Sequence, residues 1–109
     1  HMGGCGIRVP VPDGSLTDLT ITVKGKAPTV KDINNQFEKA SQNELRDILA
    51  YTNEPLVSSD IIGNPHSCIF DSQLTSVVGN LVKLVGWYDN EAGYSNRLID
   101  LIKKMDAWD

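Results

Sequence analysis

The sequence contains few of the residues that build metal sites and disulfide frameworks. It has two cysteines, Cys5 and Cys68, in 109 residues, and His66 is its single internal histidine. This spacing lacks the dense cysteine pattern of small secreted domains, and no Cys, His or carboxylate lies near His66 at zinc-ligand spacing. We therefore predict no metal ligand and a buried, free Cys68, with a Cys5–Cys68 disulfide left as an unsupported alternative.

Long apolar runs and clustered positive charge are missing as well. The nearly apolar stretch at residues 77–85 is interrupted by Gly79, Asn80 and Lys83, and it falls far short of the roughly 18 apolar residues that a membrane span needs. Ten basic residues against fourteen acidic ones give a formal charge of -4, and the basic residues are scattered. Both features argue against nucleic acid and membrane as partners.

The first three residues resemble the remnant of an expression tag, because His1 and Met2 are followed by glycines. No basic segment with an apolar stretch behind it follows them, as it would in a secretory signal. We therefore expect a cytoplasmic protein. Residues 4–109 are enough for one domain and too few for two.

The pattern of apolar residues predicts two helices at clear positions. Thr29 with Asp32 three residues later is an acidic variant of the capping box, and it predicts a helix that ends near Ser41. A stripe over residues 94–105 predicts a terminal helix. Leu45, Ile48 and Leu49 suggest a short third helix over residues 43–49, which needs tertiary packing to form.

Short alternating or apolar segments predict the strands. Residues 7–11 and 19–23 read as two strands, although Pro10 and Pro12 put the first at a sheet edge or in an extended loop. Residues 56–58 and 67–71 read as short strands, and residues 75–78 and 81–88 as a hairpin around Gly79 and Asn80, with its second strand central in the sheet. The predicted fold is α+β, a mostly antiparallel (mixed) sheet with helices packed on one face.

Two positions offer binding chemistry, although the residues alone favour structural roles for both. The guanidinium of Arg8 suits a phosphate or a carboxylate, but a surface ion pair explains it more simply. Asn90 lies where a predicted strand meets a helix, and its amide is the complement of a carboxamide. The alternative there is a helix cap with Trp87 and Tyr88 in the core. No phosphate-binding glycine loop and no nucleophile beside a base appears, so we predict no catalytic residue.

Several longer segments point to a known family. They are residues 8–12, 18–20, 48–52, 55–60, 66–67, 70–71, 87–91 and 93–97. In this order and nearly this spacing, they resemble phosphorylating glyceraldehyde-3-phosphate dehydrogenase, and the run from Trp87 to Arg97 is highly specific. The resemblance runs from about Gly4 to Ile102 and covers only the C-terminal part of that enzyme's catalytic domain.

The resemblance implies roles for three residues. Arg8 matches the arginine that contacts substrate phosphate, which replaces the ion-pair interpretation. Asn90 matches the asparagine that hydrogen-bonds the nicotinamide carboxamide of NAD, and Tyr94 matches a tyrosine beside that ring. Asp89 and Glu91 are expected to support the corner.

The resemblance also implies what this sequence lacks. In the family a cysteine forms a thiohemiacetal, NAD takes the hydride, and phosphate cleaves the thioester. The Ser-Cys-Thr-Thr-Asn-Cys motif, the activating histidine and the NAD-binding domain are not in this sequence, so we expect the chain alone to be inactive. Its expected partners are glyceraldehyde 3-phosphate, NAD, the missing N-terminal part of the enzyme and further copies in a homo-oligomer.

Two other functions stay open from the sequence. One is a stand-alone, non-enzymatic binding module that kept the fold and lost the chemistry. The other is a new thiol activity at Cys5, although no evident cation would lower the pKa of that thiol.

Overall fold

Five strands and two α-helices follow one another along residues 3–108, the part of the chain that the computed structural model describes. In chain order they are β1 (Ser15–Thr22), α1 (Val30–Gln42), β2 (Leu49–Thr52), β3 (Cys68–Asp71), β4 (Ser76–Val78), β5 (Leu81–Tyr88) and α2 (Ala92–Asp106). Short 3₁₀ helices span Ser58–Ile61 and Ser72–Leu74. His1 and Met2, most of the suspected tag remnant, lie outside the described residues.

The strands form one mixed sheet in the order β1-β5-β3-β2, with β4 also paired to β5. β5 is antiparallel to β1, β3 and β4, whereas β2 and β3 are parallel. The prediction of an α+β fold with a mostly antiparallel sheet is therefore confirmed, as is the central place of β5. The hairpin turn at Gly79 and Asn80 is also where the sequence predicted it.

The core lies between α1 and the sheet. Ile33 of α1 clusters with Leu49, Phe70 and Val82, which come from three different strands. Phe37 stacks on Phe70, with ring centroids 3.9 Å apart and planes 2° from parallel. One face of α1 thus supplies the apolar cover that this part of the sheet needs.

The predicted capping box at the start of α1 is present. The Thr29 hydroxyl oxygen accepts a hydrogen bond from the Asp32 backbone N–H at 3.1 Å, and an Asp32 carboxylate oxygen accepts one from the Thr29 N–H at 3.0 Å. These reciprocal bonds satisfy donors that a helix start otherwise leaves without partners. The hydrogen bonds from Thr29 lower the pKa of Asp32 below its ordinary value.

For residues 7–11 the edge strand is wrong, and the loop that Pro10 and Pro12 left as the alternative is present. Residues 7–11 are not a strand but part of an exposed arm, because Pro10 lacks an N–H for a strand ladder and Pro12 follows two residues later. The second strand begins at Ser15, four residues before the predicted start, since its pairing with β5 continues as far as Tyr88.

Two further predictions between α1 and β3 are wrong. Residues 43–48 form successive turns rather than a helix, and Leu49 already belongs to β2. Residues 56–58 are not a strand, because the Asp60 carboxylate accepts the Val57 N–H at 2.8 Å and holds the start of a 3₁₀ helix. The strand predicted at residues 67–71 is confirmed as β3.

The second helix contacts the rest of the chain only at its start. Gly93 is its one buried residue, and every described residue from Leu98 onward is exposed. Among residues 3–108, no helix is long and apolar enough to cross a membrane. Both cysteines are free; Cys5 is exposed, whereas Cys68 is half-buried and burial raises the pKa of its thiol.

Candidate functional site

The corner between β5 and α2 is built around the carboxylate of Asp89. One of its oxygens accepts the backbone N–H groups of Glu91 and Ala92 at 2.9 and 2.8 Å, and the other accepts that of Gly63 at 2.8 Å. Asp89 is 4% exposed. The bonds from Ala92 and Gly63 are the main cause that lowers the pKa of Asp89 to about 2. Asp89 therefore caps α2 and fixes the corner backbone, which confirms its expected supporting role.

Two more carboxylates lie beside Asp89. Oxygens of Asp13, Asp89 and Glu91 all lie within 4.8 Å of one another. A hydrogen bond with Asp13, followed by repulsion from it, raises the pKa of Glu91. Because Asp89 is already committed to backbone donors, the cluster has a structural explanation as part of the corner.

Asn90 lies at the tip of this corner and is exposed. Its Oδ1 accepts a hydrogen bond from the Ser15 hydroxyl at 2.9 Å. Its Nδ2 has no hydrogen-bond partner within residues 3–108 and is free to donate to a ligand. A carbonyl oxygen, such as that of a carboxamide, is the matching acceptor.

Tyr94 lies in the first turn of α2 and is 66% exposed. The start of this helix is held against the loop before β3, because Arg97 donates to the Ser67 hydroxyl at 3.2 Å and Gly93 packs closely against the His66 carbonyl. Arg97 also forms an ion pair with Asp100 at 2.7 Å. The structure therefore places Asn90 and Tyr94 on one fixed corner, four residues apart, with both side chains open to solvent.

Trp87 and Tyr88 fit the structural interpretation of the corner in part. Both are half-buried, and the Trp87 indole N–H donates to the buried carboxylate of Asp71 at 3.0 Å. This bond ties the end of β5 to β3 directly below the corner.

Arg8 lies on the exposed N-terminal arm, outside the corner elements. Within residues 3–108 Arg8 makes no hydrogen bond and no ion pair, so the surface ion pair considered from the sequence has no acidic partner there. Its guanidinium is available to an anion.

Sequence reasoning missed Ser15 as a site residue. Ser15 is 75 positions from Asn90 and meets it because the antiparallel register of β1 and β5 pairs Ser15 with Tyr88. A serine at the start of a strand carries no local signal of such a contact. Only the pairing of the two strands reveals it.

Comparison with known proteins shows the family of the chain. A family model described as "Glyceraldehyde 3-phosphate dehydrogenase, C-terminal domain" matches residues 1–90. The chain belongs to this family. The resemblance seen in the sequence is thereby confirmed, including its restriction to the C-terminal domain.

Three bacterial relatives match most of this chain. "Glyceraldehyde-3-phosphate dehydrogenase 1" of Streptomyces avermitilis is 55% identical over 95 residues, which are 87% of this chain and 28% of the relative. "Glyceraldehyde-3-phosphate dehydrogenase" of Mycobacterium avium is 54% identical over 101 residues, 93% of this chain and 30% of the relative. The corresponding protein of Mycobacterium leprae is 52% identical over 101 residues. The chain thus spans less than a third of the length of these relatives.

Proposed function

We propose that this chain supplies the C-terminal part of the catalytic domain of a cytoplasmic, glycolytic, NAD-dependent glyceraldehyde-3-phosphate dehydrogenase. The complete enzyme would oxidise the aldehyde and add inorganic phosphate to give 1,3-bisphosphoglycerate. The observation that carries this proposal is the corner itself, where a rigid backbone presents an asparagine with a free amide donor in a chain of this family.

Each proposed site residue has a defined task. Arg8 binds the substrate phosphate, since its planar fork matches two phosphate oxygens and no side chain within residues 3–108 engages it. Asn90 donates from Nδ2 to the carboxamide oxygen of the nicotinamide, and Tyr94 lies beside that ring. NAD, when bound, supplies the hydride acceptor. These residues bind and orient, and none of them is the nucleophile.

The nucleophile and its base would come from the rest of the enzyme. No cysteine in this sequence has a histidine at motif spacing, and Cys5 lies in a glycine-rich segment. We therefore expect no turnover by the chain alone. The upstream part of the polypeptide and further copies of the enzyme are its proposed partners, and the exposed apolar residues of α2 offer a surface for them.

The deciding experiment measures NADH formation from glyceraldehyde 3-phosphate, NAD and phosphate. We expect none from the chain alone or from its Cys5→Ser variant, and turnover once the chain replaces the matching C-terminal segment of the M. avium relative. An inactive but folded chimaera would favour the alternative of a stand-alone binding module. Turnover by the chain alone that disappears in Cys5→Ser would show that Cys5 is the nucleophile.

The role of Arg8 is tested in the same chimaera. Loss of a charge-assisted hydrogen bond costs about 1.5–3 kcal/mol, so Arg8→Ala should raise KM for the aldehyde about 10- to 150-fold. Arg8→Lys is the matched control, since it keeps the charge and loses the fork. Unchanged KM values in both variants would exclude Arg8 from the phosphate site.

A further inference from the structure

The side chain of Asn90 has one partner in residues 3–108, and that partner is Ser15. The Ser15 hydroxyl donates to Oδ1 of Asn90 at 2.9 Å. The backbone of Asn90 is fixed by its neighbour Asp89, but the Asn90 side chain is exposed and can rotate about its own bonds. The contact from Ser15 is what limits that rotation.

Ser15 is itself well anchored. It is the first residue of β1 and pairs with Tyr88 of β5. The residue before it, Gly14, has a φ of +91°, and a Cβ there would lie 3.0 Å from the Ser58 carbonyl oxygen. The Gly14 N–H donates to the Asp13 carboxylate at 2.7 Å. A tight glycine turn therefore delivers the Ser15 hydroxyl to the corner at a fixed position.

We propose that Ser15 is a positioning residue for the cofactor site, because its hydroxyl occupies Oδ1 of Asn90 and leaves Nδ2 as the group presented to the carboxamide. This inference rests on the proposed role of Asn90. An asparagine amide offers a donor on one side and an acceptor on the other, and the two look alike in shape. In this structure the Ser15 hydroxyl donates to Oδ1, so Nδ2 is the group left for the ligand.

The proposal has a consequence for ligand selection. A donor at Nδ2 requires an acceptor on the pyridine substituent, and a carbonyl oxygen is a better acceptor than a thiocarbonyl sulfur. The complete enzyme should therefore bind the 3-acetylpyridine analogue of NAD, which keeps the carbonyl, more tightly than the thionicotinamide analogue. Removal of the Ser15 hydroxyl should reduce the difference in affinity between the two analogues.

The contact can be tested without any cofactor. In the 109-residue chain labelled with ¹⁵N, the side-chain amide of Asn90 should show restricted motion in NMR relaxation. Ser15→Ala should increase that motion, and Ser15→Thr, which keeps the hydroxyl, should restore the original behaviour. Thr17→Ala is the matched control, because Thr17 lies on the same face of β1 and makes no side-chain hydrogen bond within residues 3–108. Equal motion in the wild-type and Ser15→Ala chains would overturn the proposal.

The consequence for binding is tested in the complete dehydrogenase polypeptide that carries this sequence. One hydrogen bond is worth about 0.5–1.5 kcal/mol net, so Ser15→Ala should raise the Kd for NAD about two- to tenfold by calorimetry. Ser15→Thr and Thr17→Ala should leave the Kd near the wild-type value.

Asn90→Ala distinguishes a failure of the positioning role of Ser15 from a failure of the proposed cofactor role of Asn90. If Asn90→Ala weakens NAD binding and Ser15→Ala does not, the positioning role is wrong while the proposed function stands. If Asn90→Ala leaves NAD binding unchanged, the proposed cofactor role of Asn90 is itself wrong. If wild-type enzyme binds the thionicotinamide analogue as tightly as the acetylpyridine analogue, Nδ2 does not face the carbonyl and the assigned orientation is overturned.

Discussion

Folding shifts the pKa values of two neighbouring carboxylates at the corner in opposite directions. The backbone donors around Asp89 favour its ionised form, whereas Asp13 disfavours the ionised form of Glu91. A depressed carboxyl pKa contributes stability above the unfolded value, and that contribution is lost as the pH falls through the folded value. A raised carboxyl pKa has the opposite sign, since it costs stability once the pH rises past the unfolded value.

Glu91→Gln should therefore stabilise the chain at pH 7. The substitution removes a charge that Asp13 repels, and the glutamine amide can donate to Asp13 instead. The gain in the free energy of unfolding should disappear below about pH 4.5, where Glu91 is protonated in both states. Urea unfolding at several pH values measures this difference.

Glu44→Gln is the control for that experiment, since Glu44 is exposed and has no ion-pair partner within residues 3–108. Its effect on the free energy of unfolding should be small and should not follow the pH profile of Glu91→Gln. A Glu91→Gln variant that is less stable than wild type at pH 7 would contradict the assigned repulsion.

At Gly86 of β5, a neighbouring side chain leaves no room for a Cβ atom. A Cβ at this position would collide with the sulfur of Cys68 on the adjacent strand. Gly86→Ala should destabilise the chain by about 1–3 kcal/mol, which is typical of overpacking. Cys68→Ala makes room, so the double variant should recover part of the loss. A double-mutant cycle in urea with no coupling between the two sites would exclude this contact as the cause.

At the scale of elements, the capping box stabilises the start of α1. Thr29→Ala should cost about 1 kcal/mol of stability, because the Asp32 N–H loses its acceptor. It should also return the pKa of Asp32 part of the way toward its ordinary value, because the Thr29 hydroxyl donates to the Asp32 carboxylate at 2.7 Å and this bond is lost, whereas the bond from the Thr29 backbone N–H remains. Urea unfolding and an NMR titration measure the two effects. Thr29→Ser keeps the hydroxyl and should reproduce wild type, and an unchanged pKa in Thr29→Ala would refute the bond from the Thr29 hydroxyl to the Asp32 carboxylate.

The elements that could be predicted from sequence are those specified by local chemistry. The Thr29 and Asp32 pair marked the start of α1, and Gly79 with Asn80 marked the hairpin. Strand β2 was missed because its residues continue an apolar spacing that also fits a helix, and because its partner is the distant, parallel β3. The same limit applies to the site: Asn90 stood out locally, whereas Ser15 depends on a pairing between chain segments far apart.

At the scale of the whole molecule, the chain is more extended than its length requires. Its radius of gyration is 15.6 Å, whereas a compact domain of this length has about 13 Å. The arm that carries Arg8 and the distal turns of α2 are both exposed. On α2, the exposed apolar residues include Leu98, Leu101, Ile102 and Met105. They form one stripe that no element within residues 3–108 covers.

We therefore predict that the isolated 109-residue chain self-associates through this stripe. Burying a leucine or isoleucine side chain is worth about 1.5–3 kcal/mol, so the double substitution Leu101→Gln with Ile102→Gln should raise the association Kd by at least about tenfold per side chain lost. The matched control is Lys103→Gln with Lys104→Gln, which places the same residue type off the stripe and should leave association unchanged. Sedimentation velocity over a range of concentrations distinguishes these results. A monomer at every concentration would show that the stripe does not drive association.

If the stripe is instead the surface that meets the upstream part of the enzyme, the chimaera with the M. avium relative should protect residues 98–106 from hydrogen exchange, and the glutamine variants should weaken that protection.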